Sequence, residues 1–187
     1  MTVELLAPGS TVACKGSGGM FSLFEPMIAA TDGLTLSQVC AITGLEACTL
    51  QNWIRRGFVA RPVRKKYYAR QLARILLISA LRSSMPIDRI GELMKLVNGD
   101  TEDNGDDIIS EEKLYDDLCE VIRLSGDRVL DRDALTERIA EVTADYVGPT
   151  PESAQRLRLA LSVMAQAYMS NRMKQRAEQD FYLLKTL

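Results

Sequence analysis

Apolar residues recur three and four positions apart over most of this chain, which is the spacing of a helix with one buried face. The clearest example is the segment from Ala69 to Arg82, where Leu72, Ile75 and Leu76 line one side. Alternation of apolar and basic residues, which is typical of strands, occurs in FVARPVRKKYY at 58–68. That stretch is too short for more than a small hairpin or an extended strip. We therefore predict an all-α fold.

Glycine, proline and capping residues mark the ends of the predicted helices. Ser37 is a suitable N-cap for a first short helix and Gly44 a suitable end for it. A second helix follows Glu46 and is stopped by Gly57, and Pro86 suits the first turn of a later one. Between residues 34 and 98 the sequence thus predicts four helices, over 37–43, 47–56, 69–82 and 86–98.

Three more helices are predicted beyond residue 109, and the last is long. They begin at Ser110, at Asp131 or Asp133, and at Thr150, and the second of them extends to Tyr146. The last would measure about 50 Å at ~1.5 Å per residue, which is more than a small domain covers. We expect its distal half to contact a second copy of the chain. Its apolar stripe comprises Leu157, Leu161, Met164 and Tyr168, and then, on a neighbouring face, Met169, Met173, Ala177, Phe181 and Leu184.

These elements divide the chain into four predicted parts. Residues 1–20 are glycine-rich and predict a flexible leader, and 99–109 form an acidic linker without large apolar residues until its end. Residues 21–98 form one helical domain, and 110–187 form a C-terminal helical domain for dimerisation or for binding an effector or partner. The first domain opens with a short helix that packs Phe21, Phe24, Met27 and Ile28.

The residue types present exclude several kinds of chemistry. The chain has no histidine, and its four cysteines lie far apart, so the common zinc patterns and His-based catalysis are excluded. We expect no metal or cofactor, and we expect Cys40 and Cys119 to be buried, reduced thiols. No apolar run reaches the ~18 residues of a membrane span, and the N-terminus lacks a secretory pattern. The sequence predicts a cytoplasmic protein that is not an enzyme.

Charge is distributed very unevenly, although the net charge is only -2. Residues 34–98 contain 11 Lys and Arg against three Asp and Glu, and residues 99–187 contain 11 against 19. A basic block fused to an acidic block indicates a polyanionic partner for the basic part.

The second predicted helix carries residues that suit the DNA major groove. Leu50, Trp53 and Ile54 serve the core, which leaves Thr49, Asn52, Arg55 and Arg56 on or near the outer side. Arginine can donate two hydrogen bonds to guanine, and asparagine can pair with an adenine edge. The strip Arg64, Lys65, Lys66 and Tyr67 can flank this helix on the sugar-phosphate backbone.

Residues 34–94 resemble the winged helix-turn-helix domain of the MerR transcription regulators. The matching features are a helix that ends in glycine, a Thr-Leu pair opening the recognition helix, an aromatic three positions later, basic residues before a Gly-Leu-like turn, and a tyrosine that closes the wing. In this chain they are Gly44, Thr49, Leu50, Trp53, Arg55, Arg56, Gly57, Phe58 and Tyr67, followed by Arg82, Ile87, Ile90 and Leu93 in the next helix pair.

The resemblance implies that Thr49, Gln51, Asn52 and Arg55 are recognition-helix contacts and that Arg64, Lys65 and Lys66 are wing contacts. Tyr68 stands where a Ser or Thr cap is usual, which is a departure in the wing region. In MerR proteins the long dimer helix directly follows the DNA-binding domain, whereas here a linker and two helices precede the long last helix. Because of that insertion, the promoter-untwisting mechanism of MerR proteins is not implied. The whole chain is also similar to an uncharacterised family of Gram-positive bacterial proteins, known as a domain of unknown function.

The expected function is a sequence-specific DNA-binding transcription regulator that forms a homodimer through its C-terminal helices. Its partner would be double-stranded DNA, and a small-molecule effector between the C-terminal helices stays open. The alternative is a helical protein-interaction module that binds no DNA, through the same fold or through the tail that carries Met164, Met169 and Met173.

Overall fold

The computed structural model describes residues 5–14, 19–99, 107–126 and 131–186. A short antiparallel pair opens the chain, with β1 at Leu5–Leu6 and β2 at Ala13–Cys14, followed by a 3-10 helix at Met20–Leu23. The longer elements of the described chain are all helices, as predicted. The α-helices are α1 Glu25–Ala30, α2 Leu36–Thr43, α3 Ala47–Arg55, α4 Ala69–Leu81, α5 Ile87–Asn98, α6 Glu111–Ser125, α7 Arg132–Val142 and α8 Ser153–Leu184.

Helix α4 lies at the centre of the fold. Residues 72–78 are all buried, because α2, α5, α6 and α8 pack around this helix. Its N-cap is Tyr68, whose backbone N–H donates to Gln71 Oε1 at 2.9 Å. Gln71, at the third helical position, therefore supplies the half of a capping box that belongs to that position.

The basic and acidic halves of the sequence share one hydrophobic core. Buried residues from Ala7 to Tyr168 form a single cluster, with α4 packed on α6 and α5 packed on α8. Most of the predicted linker, 100–106, lies outside the described residues, but its end is fixed by buried Ile109, which accepts a hydrogen bond from Asn98 Nδ2. The change in charge near residue 99 therefore does not separate two cores.

The leader differs from the flexible segment that was predicted. Within its described part, Ala7 is buried, Thr11 Oγ1 donates to the carbonyl of Ala41, and Tyr115 Oη donates to that of Pro8. Gly9 makes this packing possible, since a Cβ there would lie 2.1 Å from the carbonyl oxygen of Leu76. At Gly9, glycine therefore reflects the close approach of two backbones.

Several helix ends and side chains also differ from the prediction. The N-cap of α2 is Thr35, which forms a capping box with Gln38, and Ser37 lies inside the helix. Helix α7 ends at Val142, before Tyr146, whose hydroxyl donates to the carbonyl of Ile108. Met27 is exposed, because it falls on the outer side of α1.

Within the described ranges, no helix combines the length and the apolar character needed to cross a lipid bilayer. In the same residues, no group of three His, Cys, Asp or Glu side chains is placed to hold a metal ion. Cys40 is half-buried, Cys48 is exposed and Cys119 is buried, all as free thiols.

Candidate nucleic-acid interface

Helix α3 presents one buried side and one polar side. A turn at Gly44–Glu46 connects it to α2, with Gly44 in the left-handed conformation (φ 68°). Leu50 and Trp53 are buried, which fixes the orientation of the helix about its axis. The polar side carries exposed Gln51, Arg55 and Arg56 and half-buried Thr49 and Asn52.

Two of these side chains, Asn52 and Arg55, form a hydrogen-bonded pair on the outer surface of α3. Arg55 Nη2 donates to Asn52 Oδ1 at 2.7 Å, one turn back along the helix. The contact uses one guanidinium donor and the amide oxygen, and it does not involve the amide N–H groups of Asn52 or the other guanidinium donors. Together they offer the hydrogen-bonding groups that read guanine and adenine edges.

Arg56 is held by neighbouring residues at the end of α3. Its Nη2 lies 2.6 Å from Asp88 Oδ1, and its guanidinium carbon lies 4.7 Å from the centre of the Phe58 ring. Asp88 belongs to the first turn of α5, so this ion pair connects the end of α3 with α5. The side chain of Arg56 is therefore already engaged in contacts within the chain before any partner binds.

The stretch after α3 contains a two-residue hairpin. Val63 and Lys66 exchange backbone hydrogen bonds of 3.0 and 2.8 Å, and Leu34 pairs with Tyr67 in the same way. Arg64 and Lys65 form the tip and have positive φ angles of 50° and 64°. This is the conformation of a type I′ turn, in which Asn and Gly are preferred. Both tip side chains are exposed.

The predicted basic strip is therefore divided by the hairpin into residues with different roles. Arg64 and Lys65 face solvent, whereas Lys66 Nζ donates to the carbonyls of Thr31 and Gly33 at 2.9 and 3.1 Å. Tyr67 is only 3% exposed and belongs to the core, and burial raises the pKa of its hydroxyl. Tyr67 therefore does not form part of the surface, because pairing with Leu34 turns its ring inward.

Gln71 is a positioning residue that sequence reasoning missed. Its Nε2 donates to the carbonyl of Arg61 at 2.7 Å and to that of Ala60 at 3.3 Å, while its Oε1 caps α4. It therefore fixes the segment between α3 and the hairpin. Its place three residues after the N-cap is the signal that could have found it.

Part of the basic block is neutralised inside the fold. Arg74 Nε donates to the carbonyl of Phe58 at 2.7 Å, and its Nη1 pairs with Glu111 at the start of α6. Arg70 lies 3.3 Å from Asp107 and 3.5 Å from Glu111. Burial raises the pKa of Glu111, and the two arginines act against this by favouring the charged form. Because Arg74 binds both the carbonyl of Phe58 and Glu111, it holds in place the backbone that follows α3.

The outer side of α3 and the hairpin tip are together called the candidate interface. Its residues are Thr49, Gln51, Asn52, Arg55, Arg64 and Lys65. Within it, Asn52 is hydrogen-bonded to Arg55, and Arg64 and Lys65 are neighbours at the hairpin tip. Arg56 pairs with Asp88, Lys66 donates to backbone carbonyls, and Tyr67 is buried, so these three residues are not part of the candidate interface.

Comparison with known proteins places this surface inside a matched region. Residues 31–118 match the family model of a domain of unknown function, DUF1836. The uncharacterized protein YkrK of Bacillus subtilis (strain 168) is 28% identical to the chain over 91 residues, which is 46% of this chain and 39% of YkrK. No solved structure matches the chain significantly. The matched domain has no assigned function, and the matched protein is uncharacterized.

Proposed function

We propose that this protein is a sequence-specific DNA-binding transcription regulator of the MerR-like type, which acts as a homodimer. In this proposal α2 and α3 form the helix-turn-helix, and the hairpin at 63–66 is the wing. Helix α3 enters the major groove with Asn52 and Arg55 toward the bases, and the hairpin tip contacts phosphates.

The observation that carries the proposal is the hairpin tip. Arg64 and Lys65 both adopt left-handed backbone conformations, which cost residues with a Cβ of the order of 1 kcal/mol or more each. Asn and Gly would fill a type I′ turn with less strain. Two long cations in strained, exposed positions are explained if their charges serve an anionic partner such as the DNA backbone.

The outer side of α3 supports the same proposal from a second direction. Its buried residues, Leu50 and Trp53, fix the orientation of the helix, so that Asn52 and Arg55 are presented on a rigid element. Their mutual hydrogen bond restricts the rotamers of both side chains before binding. Less conformational entropy then has to be lost when they contact base edges.

The test is fluorescence anisotropy of the full chain against a randomised duplex library and its own upstream DNA at two salt concentrations. The decisive variant is Arg64→Asn with Lys65→Gly, which removes both charges and places the preferred residues in the turn. We expect unchanged or higher thermal stability together with weaker binding to all duplexes. The slope of log affinity against log salt should fall by about 0.9 for each phosphate that the variant no longer neutralises.

A matched control is Arg132→Gln with Arg156→Gln, which removes two exposed charges from α7 and α8. This variant should bind DNA nearly as the wild type does. An equal loss of affinity in both variants would show a general effect of net charge, and unchanged binding by the hairpin variant would contradict the role of the tip.

The second candidate function is a helical protein-interaction module, and one observation favours it. Helix α8 exposes large apolar side chains beyond the core, with Met173 50% and Phe181 55% exposed. Absence of binding to every duplex at low salt, with α8 still required for a cellular partner, would support this function in place of DNA binding.

A site for an effector is a further part of the proposal. A cleft of about 350 Å³ lies between α6, α7 and the 3-10 helix. Its lining includes Asp116, Glu120, Arg123 and Glu141 together with Met20 and Leu124, so a ligand would meet both charged and apolar groups.

A further inference from the structure

Helix α8 has two halves in very different surroundings. In the proximal half, Leu157, Leu161 and Met164 are fully buried against the rest of the fold. All residues of 172–186 are exposed, although the helix continues to Leu184. An isolated helix of about 12–15 residues is only marginally stable in water, and most helices depend on packing against another element. The distal half therefore lacks, within this fold, the packing that would stabilise it.

Most exposed apolar residues of α8 form a second stripe on the side opposite the buried one, and Tyr182 is an exception on the side that continues the buried stripe. Met173, Ala177, Phe181 and Leu184 follow one another at intervals of four, four and three residues, so they share one face. Leu159 and Val163 extend this face toward the start of the helix, and both are exposed. At the same time Gln175, Glu178 and Gln179 occupy the side that continues the buried stripe. The apolar face of the distal half thus points away from its own core.

Charges beside this stripe are arranged symmetrically about Ala177. Lys174 and Arg176 precede it by three residues and one, and Asp180 and Glu178 follow it by three and one. Within one helix, Lys174 Nζ lies 3.9 Å from Glu178 Oε1 and both side chains are largely exposed, so this contact holds them only weakly. The segment is basic before its centre and acidic after it.

We propose that the distal half of α8 packs antiparallel against the same segment of a second copy, with the twofold axis at Ala177. This inference rests on the homodimer proposed above and specifies its interface. In this register Met173 of one copy meets Phe181 of the other, and Ser170 meets Leu184. Lys174 lies on the same side of the pair as Glu178 of the second copy, and Arg176 on the same side as Asp180. The small side chain of Ala177 allows the two helices to approach closely where they cross.

The same charges disfavour the other orientation. In a parallel pair the two flanks of the stripe change partners, so Lys174 would lie on the same side as Arg176 of the second copy, and Glu178 on the same side as Asp180. Like charges in such positions are destabilising. An antiparallel pair is also isologous and closes after two copies, so it forms a dimer and not a filament.

The first test is sedimentation equilibrium of the full chain without DNA. We expect a dimer whose dissociation constant rises about tenfold or more in Lys174→Glu with Arg176→Glu, because four like-charged contacts replace four opposite ones. The matched control adds Glu178→Lys and Asp180→Lys to that variant. This full exchange restores opposite charges across the antiparallel pair and should restore the wild-type dissociation constant.

The second test measures the register directly by oxidative cross-linking. Ala177→Cys places two thiols at the twofold axis and should form a disulfide-linked dimer, above the background given by the wild-type cysteines. Leu159→Cys lies on the same exposed face but far from the axis and should not cross-link. A parallel pair would cross-link both variants equally, and this result would overturn the proposal.

Monomeric wild-type protein at all concentrations would also overturn it, as would a dimer that the charge reversal leaves unchanged. Circular dichroism verifies that each variant keeps its helices. Because no DNA is present, failure of these tests is distinguishable from failure of DNA binding, which the hairpin variant tests separately.

Discussion

Arg55 and Arg74 are separated by 19 residues in the same basic block, yet the structure uses them in opposite ways. Arg74 is only 4% exposed at its side chain and is bonded to the carbonyl of Phe58 and to Glu111. Arg55 is exposed and is bonded to Asn52 on the outer side of α3. One arginine joins the two halves of the chain, and the other extends into solvent. The charge of a sequence segment therefore does not equal the charge of its surface.

Carboxylates explain this difference. Arg56, Arg70 and Arg74 meet Asp88, Asp107 and Glu111 respectively, and the last two carboxylates come from the acidic half of the chain. Part of the opposite charge on the two halves thus holds them together. The basic side chains thus fall into two classes. The buried class is represented by Arg74, and the exposed class, above all Arg55, Arg64 and Lys65, remains for a polyanionic partner.

The largest effect on stability is expected when the buried arginine is removed. Arg74→Ala should lower the free energy of unfolding by about 3–5 kcal/mol, because Glu111 would remain buried with less compensation. The carbonyl of Phe58 would also lose its donor. Urea denaturation measures this change in stability. Arg82→Ala, which removes an exposed arginine just after the same helix, is the control and should change stability by no more than about 0.5 kcal/mol. A destabilisation by Arg74→Ala as small as that of the control would remove the distinction between the two classes.

The exposed class is tested by Arg55→Ala, for which the proposed DNA-binding function predicts a loss of selectivity without a loss of fold. Discrimination between the preferred duplex and single-base variants should fall by about 1–3 kcal/mol at the position that Arg55 reads. Competition anisotropy measures this value. Arg55→Lys keeps the charge but loses the planar fork, so it should behave as Arg55→Ala does in selectivity. Full selectivity in Arg55→Lys would assign Arg55 to phosphate contact.

These two classes also show what sequence reasoning could and could not provide. Helical periodicity and the glycine, proline and capping signals at helix ends are local properties, and for that reason the bounds of α3, α4 and α5 follow closely from the sequence. The partner of a charged residue is not local: Glu111 lies 37 positions from Arg74. Counting charges in 34–98 therefore indicated the segment that carries the candidate interface but not the residues within it that reach solvent.

The hairpin illustrates the same limit at shorter range. The alternation in FVARPVRKKYY predicted a hairpin or an extended strip, but which residues lie at the tip depends on pairing register. Because Val63 pairs with Lys66, the tip is Arg64 and Lys65, and Tyr67 turns into the core. A shift by one residue would have exchanged these roles. The packing of the leader was missed for a related reason, since glycine signals both flexibility and close approach.

Asp117 extends the comparison to a buried carboxylate with a poorly buried cation. Its partner Lys113 is 59% exposed at the side chain, and burial raises the pKa of Asp117 despite that contact. A carboxyl whose pKa is raised in the folded state contributes stability at low pH and loses it as the pH rises through that pKa. Asp117→Asn does not titrate. Its stability relative to the wild type should therefore increase from about pH 4 toward neutrality, as followed by thermal unfolding over that range.

A relative stability that falls with rising pH would mean that the contact with Lys113 outweighs burial. Lys113→Gln provides the matched control, because it removes the cation while the carboxylate stays buried. The wild type should then be compared with this variant at both ends of the pH range.

The smallest effect is expected for Arg56, which lies between the two classes. Its side chain is 40% exposed and that of Asp88 is 72% exposed, so water and salt screen their 2.6 Å contact. A double-mutant cycle of Arg56→Ala and Asp88→Asn should give a coupling free energy of about 0.2–1 kcal/mol. The stacking of Arg56 on Phe58 is unaffected by the change at Asp88 and does not enter this value. A coupling above about 2 kcal/mol would place Arg56 with Arg74 among the cations that hold the fold together. In that event Arg56 would have a structural role, and Arg55 would be the arginine of α3 that is left to contact DNA.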